Sequence, residues 1–280
     1  MNSVLTPSTE LRTRVASGAV LITAVVLAVL GGSWVFALLI LVGALTALHE
    51  WHRLVNGGSA ALEAVPAALT MIVVVGLVLT DSALLLSLAV LVLGAGTAAL
   101  VAVKRGSWAL WHAVGVVYIG VAVLALMMMR EGQISSGIVD GRVIVGGVFT
   151  AVWAADTGAL FFGRMLGGPR LAPQLSPKKT WAGFIGGIFL AGIAEFVYVA
   201  IIDGPLWLGI SFGICLGVTS SCGDLFESWV KRVFQTKNSG DLIPGHGGML
   251  DRVDSLLFAA PAGAAVLFIF GDVSPFGINP

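Results

Sequence analysis

The sequence predicts an all-α, polytopic integral membrane bundle of about nine transmembrane helices with its N-terminus in the cytoplasm. Three observations carry that prediction. The 280 residues are 58% hydrophobic and only 11% charged, where a soluble domain carries about 25% charged residues. Apolar runs near the ~20 residues needed to span a bilayer follow one another with short connections. The basic residues gather in alternate connections, as they do in cytoplasmic loops.

The runs fall at about 15–31, 34–52, 60–80, 83–103, 108–129, 142–164, 181–202, 206–230 and 250–271. The first follows a polar segment that ends in Arg12 and Arg14. That layout resembles a signal peptide, but further apolar runs follow at once, so it reads as a signal-anchor helix. The third run is the weakest, because Glu63 and Pro66 stand near its start. Glycine is abundant, with 37 residues, as expected where helices approach closely in lipid. Barrel-type alternation, internal repeats and a domain-separating linker are absent from the sequence. One membrane domain over 1–280 follows, with N-terminal helices in 1–140 and the chemistry in 141–271.

With the N-terminus inside, all but Arg130 and Arg142 of the 15 Lys and Arg fall in cytoplasmic segments. The odd number of spans sends the C-terminus outside. A formal net charge of zero gives no pointer to nucleic acid. Cys215 and Cys222 are seven residues apart in one run, ~10 Å of helical rise. That is too far for a disulfide, and both read as small core residues.

The longest cytoplasmic connections, about 165–180 and 231–249, are basic and contain Gly and Pro. The densest charge in the chain lies from Ser228 to Asp254. Lys231, Arg232, Lys237, Arg252 and, when protonated, His246 stand against Asp241, Asp251 and Asp254. Charge is costly beside lipid, so this is the default site of chemistry. Asp251 and Asp254 share a helix face at i, i+3, as do Asp224 and Glu227. Two such pairs on facing helices can hold a divalent cation, and hard oxygen ligands suit Mg2+. The alternative is that they only form ion pairs with Lys231, Arg232 and Arg252. The four cations Lys231, Arg232, Lys237 and Arg252 suit a phosphate clamp, against ordinary flanking of spans. Gly245, Gly247 and Gly248 permit a turn whose N–H groups face an anion, with His246 inside it.

In the other connection, Thr180 is placed to cap the seventh helix. Lys178 and Lys179 lie at that helix N-terminus, where anions are favoured. Asp156 sits within a span and needs a partner, which can be nucleotide, metal or a neighbouring helix. Glu195 lies nearer the outer side and reads as a packing or polar contact. His49-Glu50-Trp51-His52 has its histidines at i, i+3 rather than the i, i+4 of a zinc protease helix. It reads as the cytoplasmic end of the second span. No nucleophile elbow is present.

The pattern S-x-x-K-R-x(4)-K-x(6)-P-G-H-G-G-x-x-D-R-x-D over Ser228 to Asp254 resembles the motif of the CTP:phosphatidate cytidylyltransferases, or CDP-diacylglycerol synthases. Asp156-Thr157-Gly158-Ala159 through Gly163-Arg164, and Ser176-Pro177-Lys178-Lys179-Thr180-Trp181, are similar to the same family. The resemblance covers about the C-terminal 45% of the chain. Asn238 stands where that family usually has Asp, Leu160 where an aromatic is common, and Ala182 where Glu is common.

The resemblance implies an enzyme that joins CTP and phosphatidate into CDP-diacylglycerol and pyrophosphate in phospholipid biosynthesis. It implies Mg2+ as cofactor and admits a second, monovalent cation. It implies a homodimer, multi-pass in the plasma membrane, with the active site on the cytoplasmic side. Asp224 and Asp251 map onto the metal ligands, with Asp254 beside them. Lys231 and Arg252 join these two as catalytic candidates. Lys178, Lys179, Ser228, Arg232, Lys237, His246, Gly247 and Gly248 are the candidates for substrate binding.

Overall fold

A computed structural model describes residues 7–58, 62–82, 84–133, 140–236, 239–240, 247–270 and 275–276, with side chains from residue 16 onward. Nine helices and one hairpin occur among the described residues. The helices are α1 (Pro7–Leu30), α2 (Ser33–Val55), α3 (Ala64–Leu79), α4 (Leu84–Lys104), α5 (Ala109–Arg130), α6 (Gly141–Met165), α7 (Trp181–Ile201), α8 (Leu206–Val233) and α9 (Leu250–Ile269). Seven of them, all but α1 and α3, are long and apolar enough to cross a membrane. Their outer surfaces expose Trp34, Leu85, Val92, Leu93 and Ile201. Water would not tolerate so much exposed apolar area, whereas lipid does. The chain is a helical, multi-pass membrane protein.

Each helix begins and ends near its predicted run, except that α1 starts about eight residues earlier, at Pro7. The apolar part of α1 covers Ala16–Leu30, and α3 is the short one. Pro66 lies in the first turn of α3, where its missing N–H costs nothing. The connection 165–180, expected to be a loop, contains an antiparallel hairpin of β1 (Arg170–Ala172) and β2 (Ser176–Thr180). The 3.1 Å bond from Gly183 N to Thr180 Oγ1 caps α7 as expected.

Contacts separate the two ends of the bundle. Ser107 bonds Asn56, Arg232 Nε donates to Leu175 O at 3.3 Å, and the Trp111 ring of α5 meets Phe234, just past α8, edge-on at 5.2 Å. These bring the α2–α3, α4–α5 and α6–α7 connections and the C-terminus of α8 to one end. At the other end, Ser33 bonds Glu131 at 2.9 Å, and Gln133 bonds Val78 O and Asp81 at 3.0 Å. Arg130 Nη2 donates to Val29 O at 3.3 Å, and Arg142 pairs with Asp140 at 2.8 Å. The two arginines of that end therefore serve local structure.

One apolar core runs through the bundle and includes Trp51, Met71, Met127, Ile144, Leu216 and Leu250. The tightest packing is α6 against α7. A Cβ at Gly158 would sit 2.6 Å from Gly186 O and 3.0 Å from Gly187 Cα. These helices meet backbone to backbone, which holds the hairpin and the start of α7 over Asp156. Gly158→Ala should cost about 1–3 kcal/mol, the usual penalty of overpacking. Gly96→Ala, whose added carbon meets nothing within 4 Å, is the control. Thermal unfolding in detergent compares the two, and an equal melting temperature would refute the close contact.

One sequence expectation needs correction, and a second is narrowed. Cys222 is exposed and Cys215 only half-buried, both as free thiols, so neither is a packed core residue. Glu195 is fully buried, and neither carboxyl oxygen meets a hydrogen-bond partner among the described residues. Of the two readings of Glu195, packing stands and the polar contact does not, among the described residues.

Candidate active site

The last turns of α8 bring Asp224, Glu227, Ser228, Lys231 and Arg232 to the end of the bundle that carries the hairpin. Helical spacing aligns Glu227 with Lys231 at i, i+4, and they form a 2.7 Å ion pair. The same ammonium reaches Asp251 Oδ1 of α9 at 2.7 Å. Lys231 therefore ties α8 to α9 between two carboxylates, one of them, Glu227, only 1% exposed.

The other oxygen of Asp251, Oδ2, accepts three donors. These are Ser239 N at 3.3 Å, Ser239 Oγ at 3.0 Å and Gly248 N at 3.0 Å. Asp251 lies in the first turn of α9, where a negative charge meets the positive helix end. From the opposite wall, Lys179 of β2 pairs with Asp224 at 2.6 Å. Ser255 Oγ donates to Asp156 Oδ1 at 3.2 Å, joining α9 to α6.

Of these groups, Asp156, Lys179, Asp224, Lys231, Asp251 and Ser255 line a cavity of about 700 Å3. Its charged walls are Asp156, Asp224, Asp251 and Asp254 against Arg164, Arg170, Lys178, Lys179, Lys231 and Arg252. Six cations face four carboxylates, a surplus that suits a polyanion. A second cavity of about 330 Å3 lies between α1, α2, α5, α6 and α9. It is lined by apolar side chains such as Leu21, Ile40, Ile119, Phe149 and Leu256. Asp156 and Arg252 line both cavities. A charged chamber and a greasy one thus adjoin at a single carboxylate and a single guanidinium.

Among the described residues, no three His, Cys, Asp or Glu side chains form a group ready to hold a metal ion. The donor chemistry nevertheless fits Mg2+, which takes one or two carboxylates and fills its remaining positions with water and phosphate. Asp224 is 38% exposed at the cavity wall, with Lys179 as its ion-pair partner. Asp254 is half-buried within electrostatic reach of Asp224, Glu227 and Asp156. Asp251 already has protein donors on both oxygens.

Of the expected substrate-binding residues, Lys178 and Lys179 line the polar cavity. Ser228 and Arg232 are not among its lining residues, and Arg232 instead anchors the hairpin turn at Leu175. Gly247 adopts φ 88°, as the expected turn requires. The N–H of Gly248 is committed to Asp251. Lys237 and His246 lie outside the described residues, as does Asn238.

The family described as "Cytidylyltransferase family" matches residues 12–270. The chain belongs to this family. It is 36% identical over 265 residues to a phosphatidate cytidylyltransferase of Brucella suis biovar 1 (strain 1330), covering 94% of each chain. It is 40% identical over 148 residues to the protein of the same name from Staphylococcus haemolyticus, covering 52% of this chain and 54% of the relative. Against the one from Staphylococcus aureus (strain COL) it is 44% identical over 115 residues, covering 40% of this chain and 44% of the relative.

As a candidate cytidylyltransferase site, the cavity also contains residues to which sequence reasoning gave no chemical role. Arg164 lies in the last turn of α6 and Arg170 opens β1, and both line the charged chamber. In the sequence Arg164 closes a segment similar to the family without a role of its own, and Arg170 reads only as cytoplasmic loop charge. Ser239, which bonds Asp251 twice, lies inside the motif at a position the motif leaves open.

Proposed function

We infer that this cytidylyltransferase transfers the cytidylyl group of CTP to phosphatidate, giving CDP-diacylglycerol and pyrophosphate in phospholipid biosynthesis. The junction of a charged and an apolar cavity at Asp156 and Arg252 carries this reading. A substrate that is half phosphate and half hydrocarbon fits such a junction, and a free nucleotide alone leaves the apolar chamber unexplained. The names of the relatives support the same substrate pair.

The phosphate of phosphatidate is already an anion, so its oxygen needs no general base. That oxygen attacks the α-phosphorus of CTP, the bond to the bridging oxygen of the β-phosphate breaks, and pyrophosphate departs with those electrons. The barrier is repulsion between two anions, which fixed cations lower. Arg252, at the junction, holds the lipid phosphate. Arg164, Arg170 and Lys178 draw the triphosphate into the chamber. Lys179 and Lys231 balance Asp224 and Asp251 and face the same chamber. Mg2+ held by Asp224 and Asp251, with Asp254 beside them, would supply further screening of the phosphates, and a monovalent ion can accompany it.

In this reading α1 and α3 cross as well, making nine spans, with the N-terminus in the cytoplasm and the chamber at the cytoplasmic face of the plasma membrane. The basic residues gathered at that end support this orientation, since among the described residues only Arg130 and Arg142 lie at the other. Purified protein given CTP, phosphatidate and Mg2+ should yield a CDP-linked lipid and one pyrophosphate per lipid. EDTA should stop the reaction and excess Mg2+ restore it. Folded protein that releases no pyrophosphate from this mixture would refute the function, and full activity in EDTA would refute the metal.

A further inference from the structure

We propose that Glu50, on α2 in the N-terminal half, is a positioning residue for the site: it caps α9 from another helix and fixes Asp251 and Arg252 at the chamber wall. This rests on the function proposed above. Glu50 is 6% exposed. Its Oε1 accepts Met249 N at 2.9 Å, and its Oε2 accepts Leu250 N at 2.8 Å and Ser239 Oγ at 3.1 Å. These amides are among those a helix start leaves without internal partners. The residue at the N-cap, Met249, makes no side-chain cap bond. A helix with methionine at its N-cap needs its acceptor from elsewhere, and Glu50 provides it across about 200 positions of sequence.

Two neighbours show how closely the carboxylate is held. A Cβ at Gly248 would collide with Glu50 Oε2 and Ser239 Oγ. A Cβ at Gly240 would lie 2.8 Å from Glu50 Oε1. Gly248 therefore leaves room for Glu50, besides giving its N–H to Asp251. Ser239 donates to Glu50 Oε2 and to Asp251 Oδ2, so the two acids share one hydroxyl. A shift of Glu50 moves Ser239 and the start of α9 together, and Asp251 with them. Glu50 itself is not among the residues lining the charged chamber, so its effect on the reaction runs through these contacts.

The test is Glu50→Gln in the full chain, with Ser239→Ala as the second variant. Glutamine keeps the length but sets an NH2 donor against an amide N–H. A misplacement on the ångström scale costs about 10²-fold, so kcat should fall by about that factor in Glu50→Gln. Both KM values should change little, the sign of an interaction felt in the transition state. Hydrogen exchange at Met249 and Leu250 should quicken while the amides of α8 keep their protection. Ser239→Ala should move kcat and exchange in the same direction by less, and it carries the test if Glu50→Gln does not accumulate folded. Wild-type kcat in the variant, unchanged exchange at 249–250, or a loss of activity matched by loss of α8 protection would each overturn the proposal. Wild-type protein that makes no CDP-lipid would refute the proposed function instead, and the exchange result would still decide whether Glu50 caps α9.

Discussion

Asp251→Asn is expected to abolish turnover while the protein stays folded in detergent. Asparagine keeps one carbonyl oxygen and the same shape, so part of the bonding from Gly248 N, Ser239 and Lys231 survives. Lys231 also keeps its 2.7 Å pair with Glu227, which limits the damage to the α8–α9 contact. What disappears is a negative charge at the chamber wall, the one proposed to help hold Mg2+. Removing one preorganised electrostatic element of this kind costs on the order of 10²–10³-fold in kcat. Loss of a metal ligand should exceed that. Pyrophosphate release against time is the measurement, with an unchanged elution volume as proof of folding. Activity within tenfold of wild type, with roughly 10²-fold as the least loss expected, would remove Asp251 from the catalytic set.

Lys231→Met is expected to damage both stability and turnover. Lys231 is 15% exposed and serves two acids, Glu227 at 1% and Asp251 at 12% exposure. Deleting the shared cation leaves buried charge without compensation, which costs about 3–5 kcal/mol. The companion variant separates the two losses. Lys231→Met with Glu227→Gln removes the most buried of the stranded charges, so much of the melting temperature should return. Turnover should not return, because Lys231 lines the chamber itself. If the double variant recovered activity along with stability, Lys231 would be only a tie between helices.

The spans were legible because lipid imposes a compositional rule that needs no partner information. The start of α7 was equally local, since Thr180 and Gly183 are three residues apart. The hairpin was not legible. Its second strand, Ser176–Thr180, holds a proline and two lysines with no apolar alternation, and pairing with β1 alone makes it a strand. The site divides in the same way. Asp224, Lys231, Asp251 and Arg252 stood out because charge is rare in this chain. Glu50 did not, because its contacts join residues about 190–200 positions apart. Ser228 and Arg232 differ from Lys231, Asp251 and Arg252 of the same motif: neither lines the chamber, and Arg232 Nε binds a loop carbonyl.

The junction at Asp156 and Arg252 bears on how the reaction ends. A product still rooted by its hydrocarbon in the greasy chamber can diffuse only sideways, in the plane of the bilayer. The small anion cut from the nucleotide has no such root and escapes into three-dimensional solution. The two products part into different phases as soon as they form, so the reverse reaction requires a meeting that the architecture makes infrequent.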